Sequence, residues 1–175
     1  MGSLVRKSLD YGNTGVKLLM IGTSALMFWA MLKVVTDTES PIVVVLTGSM
    51  EPGFWRGDLL FLWHQHDRPY EIGDIVVYKL PGQPIPIVHR VHQIHHGDDG
   101  EPLYLTKGDN NPEADTLLYQ RTDRRMEYLT DEQIIGRVVG YFPKLGYATI
   151  ALNDYPWLKY VMFGAFGLMA LTGND

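Results

Sequence analysis

Ser40-Pro41-Ile42-Val43-Val44-Val45-Leu46-Thr47-Gly48-Ser49-Met50-Glu51-Pro52 is an apolar, β-branched run that ends in a turn rich in hydroxyl groups and glycine. A continuous run of this kind reads as a buried strand. The same pattern recurs downstream. Residues 58–63 follow the Arg56-Gly57 turn, residues 74–78 follow Gly73, and residues 85–91 follow a Pro/Gly loop. Residues 103–105, 134–140 and 148–152 complete the set of expected strands. Short strands with frequent Gly and Pro between them favour an all-β barrel or sandwich over a parallel α/β sheet. Residues 110–132 are polar and irregular, and are expected to form a surface loop or insertion. No repeat of constant period is visible.

Apolar segments flank this β region. The first covers residues 18–35, with Lys17 before it and Lys33 inside its far end. Its length is near the lower limit of the ~17–25 residues that cross a bilayer as a helix. Lys33 can carry its ammonium to the interface along its own aliphatic stem. Arg6, Lys7 and Lys17 precede the segment and Asp37 and Glu39 follow it, so the positive-inside rule places the N-terminus in the cytosol. A cleaved signal peptide shares this charge layout, but Val34-Val35-Thr36-Asp37-Thr38 lacks the small residues of a cleavage site. The second segment, residues 157–171, follows Tyr155-Pro156 and is short for a full span. It reads equally as a partial or interfacial membrane helix, with Trp157 and Tyr160 at headgroup depth, or as a helix packed on a partner.

Composition narrows the function. A chain of 175 residues fits one domain with length left for membrane segments. The net charge of −5 gives no basis for nucleic-acid binding. The absence of cysteine excludes disulfides, thiolate metal sites and a cysteine nucleophile. The mean hydropathy of −0.06 averages two apolar ends against a polar middle.

Three motifs carry chemistry. Ser49 lies at a strand-to-turn junction, where a side chain is exposed and backbone N–H groups are free to face a developing oxyanion. Thr47 offers a hydroxyl beside it. His89, in Ile87-Val88-His89-Arg90-Val91, has the titration range of a general base. Lys107-Gly108-Asp109-Asn110-Asn111 and the later Asp115 supply two carboxylates, either of which can accept the second imidazole N–H. Each motif alone also reads as an ordinary turn or strand. Lys79 and Lys107 are alternative bases. His64-x-His66 and His92-x-x-His95-His96 have partial metal-ligand spacing without a supporting carboxylate.

Together with Phe54-Trp55-Arg56-Gly57-Asp58-Leu59-Leu60, Gly73-Asp74-Ile75-Val76-Val77-Tyr78, Gly136-Arg137-Val138 and Asn153-Asp154-Tyr155-Pro156, these motifs resemble the type I signal peptidase family. Within it they are most similar to the catalytic subunits of eukaryotic endoplasmic-reticulum signal peptidase complexes. The resemblance covers most of the chain from Ser40 onward. It implies a mainly β fold: a signal-peptidase-like β-barrel or sheet with an N-terminal transmembrane helix and a short C-terminal hydrophobic helix. The expected organisation is a cytosolic N-terminus (1–17), a signal anchor (18–36), a lumenal catalytic domain (37–155) and a membrane-associated or subunit-packing segment (156–175).

The resemblance also implies a serine endopeptidase that removes signal peptides after small residues at −1 and −3. Ser49 matches the nucleophile. His89 stands where the bacterial branch has its lysine, Asp115 matches the acidic triad member, and Asp109 matches a second nearby aspartate. Thr47 stands where the family usually has an oxyanion-hole serine, with Ser49 N–H as the companion donor. No cofactor or metal is implied. The implied partners are other complex subunits, signal peptides of nascent preproteins, the lipid bilayer and the translocon. Leu171-Thr172-Gly173-Asn174-Asp175 carries no retention signal, so retention is expected to depend on the anchor or on partner subunits.

Overall fold

The runs predicted as strands pair into one antiparallel sheet. The computed structural model describes residues 2–65, 67–97 and 100–172. The chain divides into a β unit, residues 36–150, and a helical unit made of the two ends. In the β unit the strands are β1 (Ile42–Val44), β2 (Leu59–Trp63), β3 (Ile75–Tyr78), β4 (Ile87–His96), β5 (Pro102–Lys107) and β6 (Ile134–Phe142). Their order is β1-β2-β6-β3-β4-β5, every pairing is antiparallel, and β1 and β5 form the two edges.

Period-two alternation fixes which side chains share a face. Leu60 and Leu62 of β2 are fully buried while Trp63 is exposed. Val76 pairs with His89 and Tyr78 with Ile87, so Val76, Tyr78, Ile87 and His89 lie on one face. Val91 pairs with Thr106 and extends that face onto β5. A core cluster of Tyr70, Val76, Tyr78, Leu80, Val91, Tyr104, Tyr119, Leu129 and Ile134 packs there. A smaller cluster of Val45, Met50, Phe54 and Leu60 anchors the turn that carries Ser49. Fully burying side chains of this size contributes roughly 1.5–3 kcal/mol each.

Two expectations are corrected. Residues 148–152 are helical, within α3 (Tyr147–Asp154), rather than a strand. Ala148 and Ala151 are strong helix formers, Ile150 N–H bonds to the Gly146 carbonyl, and Pro156 ends the continuation. Ile150 is the one buried side chain of α3. Residues 110–132 are loop for most of their length, as expected, but are not confined to the surface. They contain α2 (Thr116–Gln120), and Leu129 exchanges backbone hydrogen bonds with Tyr104. Tyr119 and Leu129 are fully buried, and few apolar residues among many polar ones leave little periodic signal.

In the helical unit, α1 (Gly2–Thr36) continues N-terminally of the expected anchor. Its apolar part, Gly15–Thr36, is 22 residues long with mean hydropathy 1.9 and none of it buried. That is long enough to cross a bilayer core of about 30 Å. Thr23 and Ser24 donate their hydroxyls to the helix's own carbonyls at Leu19 and Ile21, both at 2.9 Å, so these two hydroxyls are satisfied within the helix. At the other end α4 (Trp157–Thr172) is a short apolar helix whose described side chains are almost all exposed.

Candidate active site

The Ser49 turn is held from both sides. Met50 is fully buried, Glu51 N–H bonds to the Gly48 carbonyl, and Phe54 N–H bonds to the Met50 carbonyl. From across the site, Asn110 N–H donates to the Ser49 carbonyl at 2.9 Å, and Asn110 Nδ2 donates to the Gly48 carbonyl at 3.1 Å. The loop after β5 comes this close because position 108 is glycine. A Cβ there would lie 2.7 Å from the Ser49 carbonyl oxygen and 2.9 Å from His89 Nε2. Among the described residues the Ser49 N–H has no hydrogen-bond acceptor, which leaves it available as a donor.

His89 comes from β4 and is 4 % exposed. Its Nε2 lies 3.1 Å from Ser49 Oγ, and its Nδ1 lies 2.5 Å from Asp115 Oδ2. An ionised carboxylate only accepts, so Nδ1 carries the proton and Nε2 of the neutral ring accepts from the Ser49 hydroxyl. With the serine proton so committed, the Thr47 hydroxyl, 3.2 Å from Ser49 Oγ, is the donor of that pair.

Asp115 sits just before α2 and is 4 % exposed. Its backbone N–H bonds to the Thr106 carbonyl at 3.0 Å, which ties the start of α2 to β5. Besides the imidazole, Oδ2 accepts from Thr106 Oγ1 at 2.5 Å and from the Tyr78 hydroxyl at 3.1 Å. Thr106 Oγ1 also meets the Tyr119 hydroxyl at 2.7 Å, and the Thr106 N–H donates to that phenol oxygen at 3.1 Å. Burial pushes the Tyr78 phenol well above its ordinary range, with the Asp115 charge adding to the effect. Burial likewise raises Tyr119 to about 12. Both phenols therefore stay protonated as donors.

Asp109 has a different environment. Arg90 Nε donates to Oδ1 at 2.8 Å and Arg90 Nη2 to Oδ2 at 2.7 Å, a bidentate pair. Arg90 Nη1 donates onward to the Gly73 carbonyl at 2.8 Å. Hydrogen bonding from Arg90 holds the Asp109 carboxyl below the usual carboxylate range, and the same bond raises Arg90. The Asp109 carboxylate also lies over Gly53, where a Cβ would come within 2.8 Å of Oδ2.

Sequence reasoning singled out Ser49, His89, Asp115, Asp109 and Thr47. Ser49, His89, Asp115 and Thr47 meet in one hydrogen-bonded line, whereas Asp109 pairs with Arg90 beside it. Lys79 and Lys107 make no hydrogen bond to Ser49 among the described residues; the imidazole occupies that position. Of the histidine motifs, His66 lies outside the described residues. His64 Nδ1 meets the Tyr70 hydroxyl at 2.9 Å, and His95 packs on Tyr128 with ring centroids 4.7 Å apart. No group of three or more potential metal ligands occurs among the described residues. The roles of Tyr78, Thr106, Tyr119, Arg90 and Asn110 went unassigned by sequence. Tyr78 and Arg90 lie inside the motifs quoted above, but only the strand register shows where they sit.

Comparison with known proteins agrees with the resemblance. Residues 147–172 match the family model described as the signal peptidase C-terminal short helix. The chain is 52% identical to the signal peptidase complex catalytic subunit of Metarhizium robertsii, over 89% of each chain. It is 50% identical to that of Schizophyllum commune over 87% of this chain and 85% of the relative. It is 47% identical to that of Zygosaccharomyces rouxii over 91% and 94%.

Proposed function

The chain belongs to the family of signal peptidase complex catalytic subunits, and we propose that it removes N-terminal signal peptides by a Ser-His-Asp mechanism. The observation that carries this reading is the line Ser49 Oγ to His89 Nε2 (3.1 Å) and His89 Nδ1 to Asp115 Oδ2 (2.5 Å). Ser49 Oγ attacks the scissile carbonyl while His89 takes its proton, and Asp115 stabilises the imidazolium that forms. His89 then protonates the leaving amine, and a water attacks the acyl-enzyme by the same relay in reverse. Ser49 N–H and the Thr47 hydroxyl face the oxyanion. Loss of one such donor typically costs about 10²–10³ in turnover.

Substrate choice follows from steric exclusion. The strands around residues 42–45 and 75–77 would wall shallow apolar pockets that admit small residues at −1 and −3 and reject larger ones by clash. The exposed apolar helix and its basic N-terminal flank support an anchor at residues 18–36, with residues 1–17 cytosolic and 37–155 in the lumen of the endoplasmic reticulum. Residues 156–175 would lie at the membrane or against another subunit. The proposed partners are further subunits of the complex, nascent preproteins, the bilayer and the translocon.

The test is cleavage of a model preprotein by the assembled complex carrying Ser49→Ala. Complete loss of processing with assembly retained is expected; unchanged cleavage would remove the proposal.

A further inference from the structure

We propose that Tyr78 and Thr106 are positioning residues for the Asp115 carboxylate, forming a neutral hydroxyl cradle that sets both its orientation and its charge. The inference rests on the Ser-His-Asp reading and deepens it.

Backbone hydrogen bonds decide where Asp115 stands but not which way its carboxylate points. Its N–H is tied to Thr106, and its carbonyl accepts from Leu118 and Tyr119 N–H at the start of α2. The side chain still has rotational freedom under those ties. Three hydrogen-bond partners converge on Asp115 Oδ2: Thr106 Oγ1, the Tyr78 hydroxyl and His89 Nδ1. The two hydroxyls approach from β5 and β3, the strands on either side of the β4 strand that carries His89. They thus bracket the carboxylate in the position where it meets the imidazole.

Donor direction follows from the carboxylate. An ionised Asp115 only accepts, so the Thr106 proton goes to Oδ2. Thr106 Oγ1 then accepts from the Tyr119 hydroxyl, whose oxygen in turn accepts from Thr106 N–H. A directed relay, Tyr119 to Thr106 to Asp115, runs behind the triad, with Tyr78 as a second donor. Neutral donors of this kind compensate a buried carboxylate for lost hydration without neutralising it. A cation in the same place would compete with the imidazolium for the negative charge.

The ionisable groups around Asp115 are His89 from β4, Tyr78 from β3 and Tyr119 from α2. Asp109 interacts with the His89 charge from the neighbouring loop and is itself paired with Arg90 and close to Lys107. Removing one hydroxyl leaves more negative charge on Oδ2 and stabilises the imidazolium. The acid limb of the pH–rate profile then moves to higher pH.

The experiment compares Tyr78→Phe, Thr106→Val and Thr106→Ser in the assembled complex, using kcat, KM, the pH profile of kcat/KM and the thermal midpoint. Tyr78→Phe and Thr106→Val are expected to lower kcat about tenfold with KM retained, and to raise the acid limb by about half a pH unit. Thr106→Ser, which keeps the hydroxyl, is expected to restore both. If Thr106→Val fails to assemble, Tyr78→Phe decides through its pH profile. An acid limb that stays in place, or a rate that falls only with the thermal midpoint, would overturn the cradle. Ser49→Ala, run alongside, separates the two claims. Persisting cleavage there defeats the triad itself, whereas wild-type behaviour of the hydroxyl variants beside an inactive Ser49→Ala defeats only the cradle.

Discussion

Asp109 and Asp115 lie six positions apart in one stretch of chain, yet they are stabilised in opposite ways. Asp109 is half-buried and held by a guanidinium through two hydrogen bonds. Asp115 is buried and held by hydroxyls and an imidazole. The difference teaches what each carboxylate can do. One that is already neutralised by a permanent cation has little field left for a neighbouring ring. One that is solvated by neutral groups keeps its charge for the imidazolium that forms during attack. On this account Asp115 orients the His89 ring and stabilises its charged form. Asp109, through Arg90, clamps the loop whose Asn110 holds the Gly48 and Ser49 carbonyls. A peptide group is planar and trans, so fixing the Gly48 carbonyl aims the Ser49 N–H to the opposite side.

The comparison can be broken or sharpened by substitution. The largest effect is expected from His89→Ala with Lys79 and Lys107 intact, a turnover loss of about 10⁴–10⁶-fold. In that background Asp115→Asn should cost nothing more, because Asp115 acts through the ring, while Asp109→Asn should still lower the residual rate. Retained activity in His89→Ala would return the base role to a lysine.

Next comes Gly108→Ala, which pushes a methyl toward the Ser49 carbonyl and His89 Nε2. A loss of about 10²-fold in kcat with a smaller change in KM is expected, since a displaced reacting group costs on that scale. Arg90→Lys should follow at about tenfold, because a point charge cannot reproduce the bidentate fork. Steady-state kinetics on assembled complexes would check both.

The smallest effect concerns acid stability. The Asp109 carboxyl is depressed by Arg90, so its contribution is fully present above the unfolded value of about 3.9 and is lost as pH falls below it. The gap between wild-type and Asp109→Asn thermal midpoints should therefore hold above about pH 4 and narrow as pH falls below it. A gap that stays constant would show that Asp109 is not held ionised by Arg90.

Much of this was legible in the chain because it is local. The strand, turn and serine of Ile42 to Pro52 are contiguous, and the anchor announces itself by hydropathy. The histidine is set apart from its five fellows by the resemblance, since its strand neighbours alone read equally well as structural. The division between the two aspartates was not legible. Gly108-Asp109-Asn110-Asn111-Pro112 and the surroundings of Asp115 both read as turn chemistry, and only the antiparallel register places Thr106 and Tyr78 around one of them. For the same reason residues 110–132 looked like surface: Tyr119 and Leu129 are buried by contacts distant in sequence. The misreading at residues 148–152 has a different cause. A short apolar run carries no period that separates strand from helix, and the Ala residues with the flanking Gly146 and Pro156 were the better guide.

The most direct test of the account sets Asp115→Asn against Asp109→Asn in the assembled complex, measuring single-turnover cleavage of a model preprotein per folded enzyme together with the thermal midpoint. Asp115→Asn is predicted to lose about 10⁴-fold in the chemical step with its midpoint nearly unchanged. Asp109→Asn is predicted to lose about 10²-fold, accompanied by a lowered midpoint as the clamp is released. Equal losses at unchanged midpoints, or the greater loss at Asp109, would contradict the assignment of the triad role to Asp115.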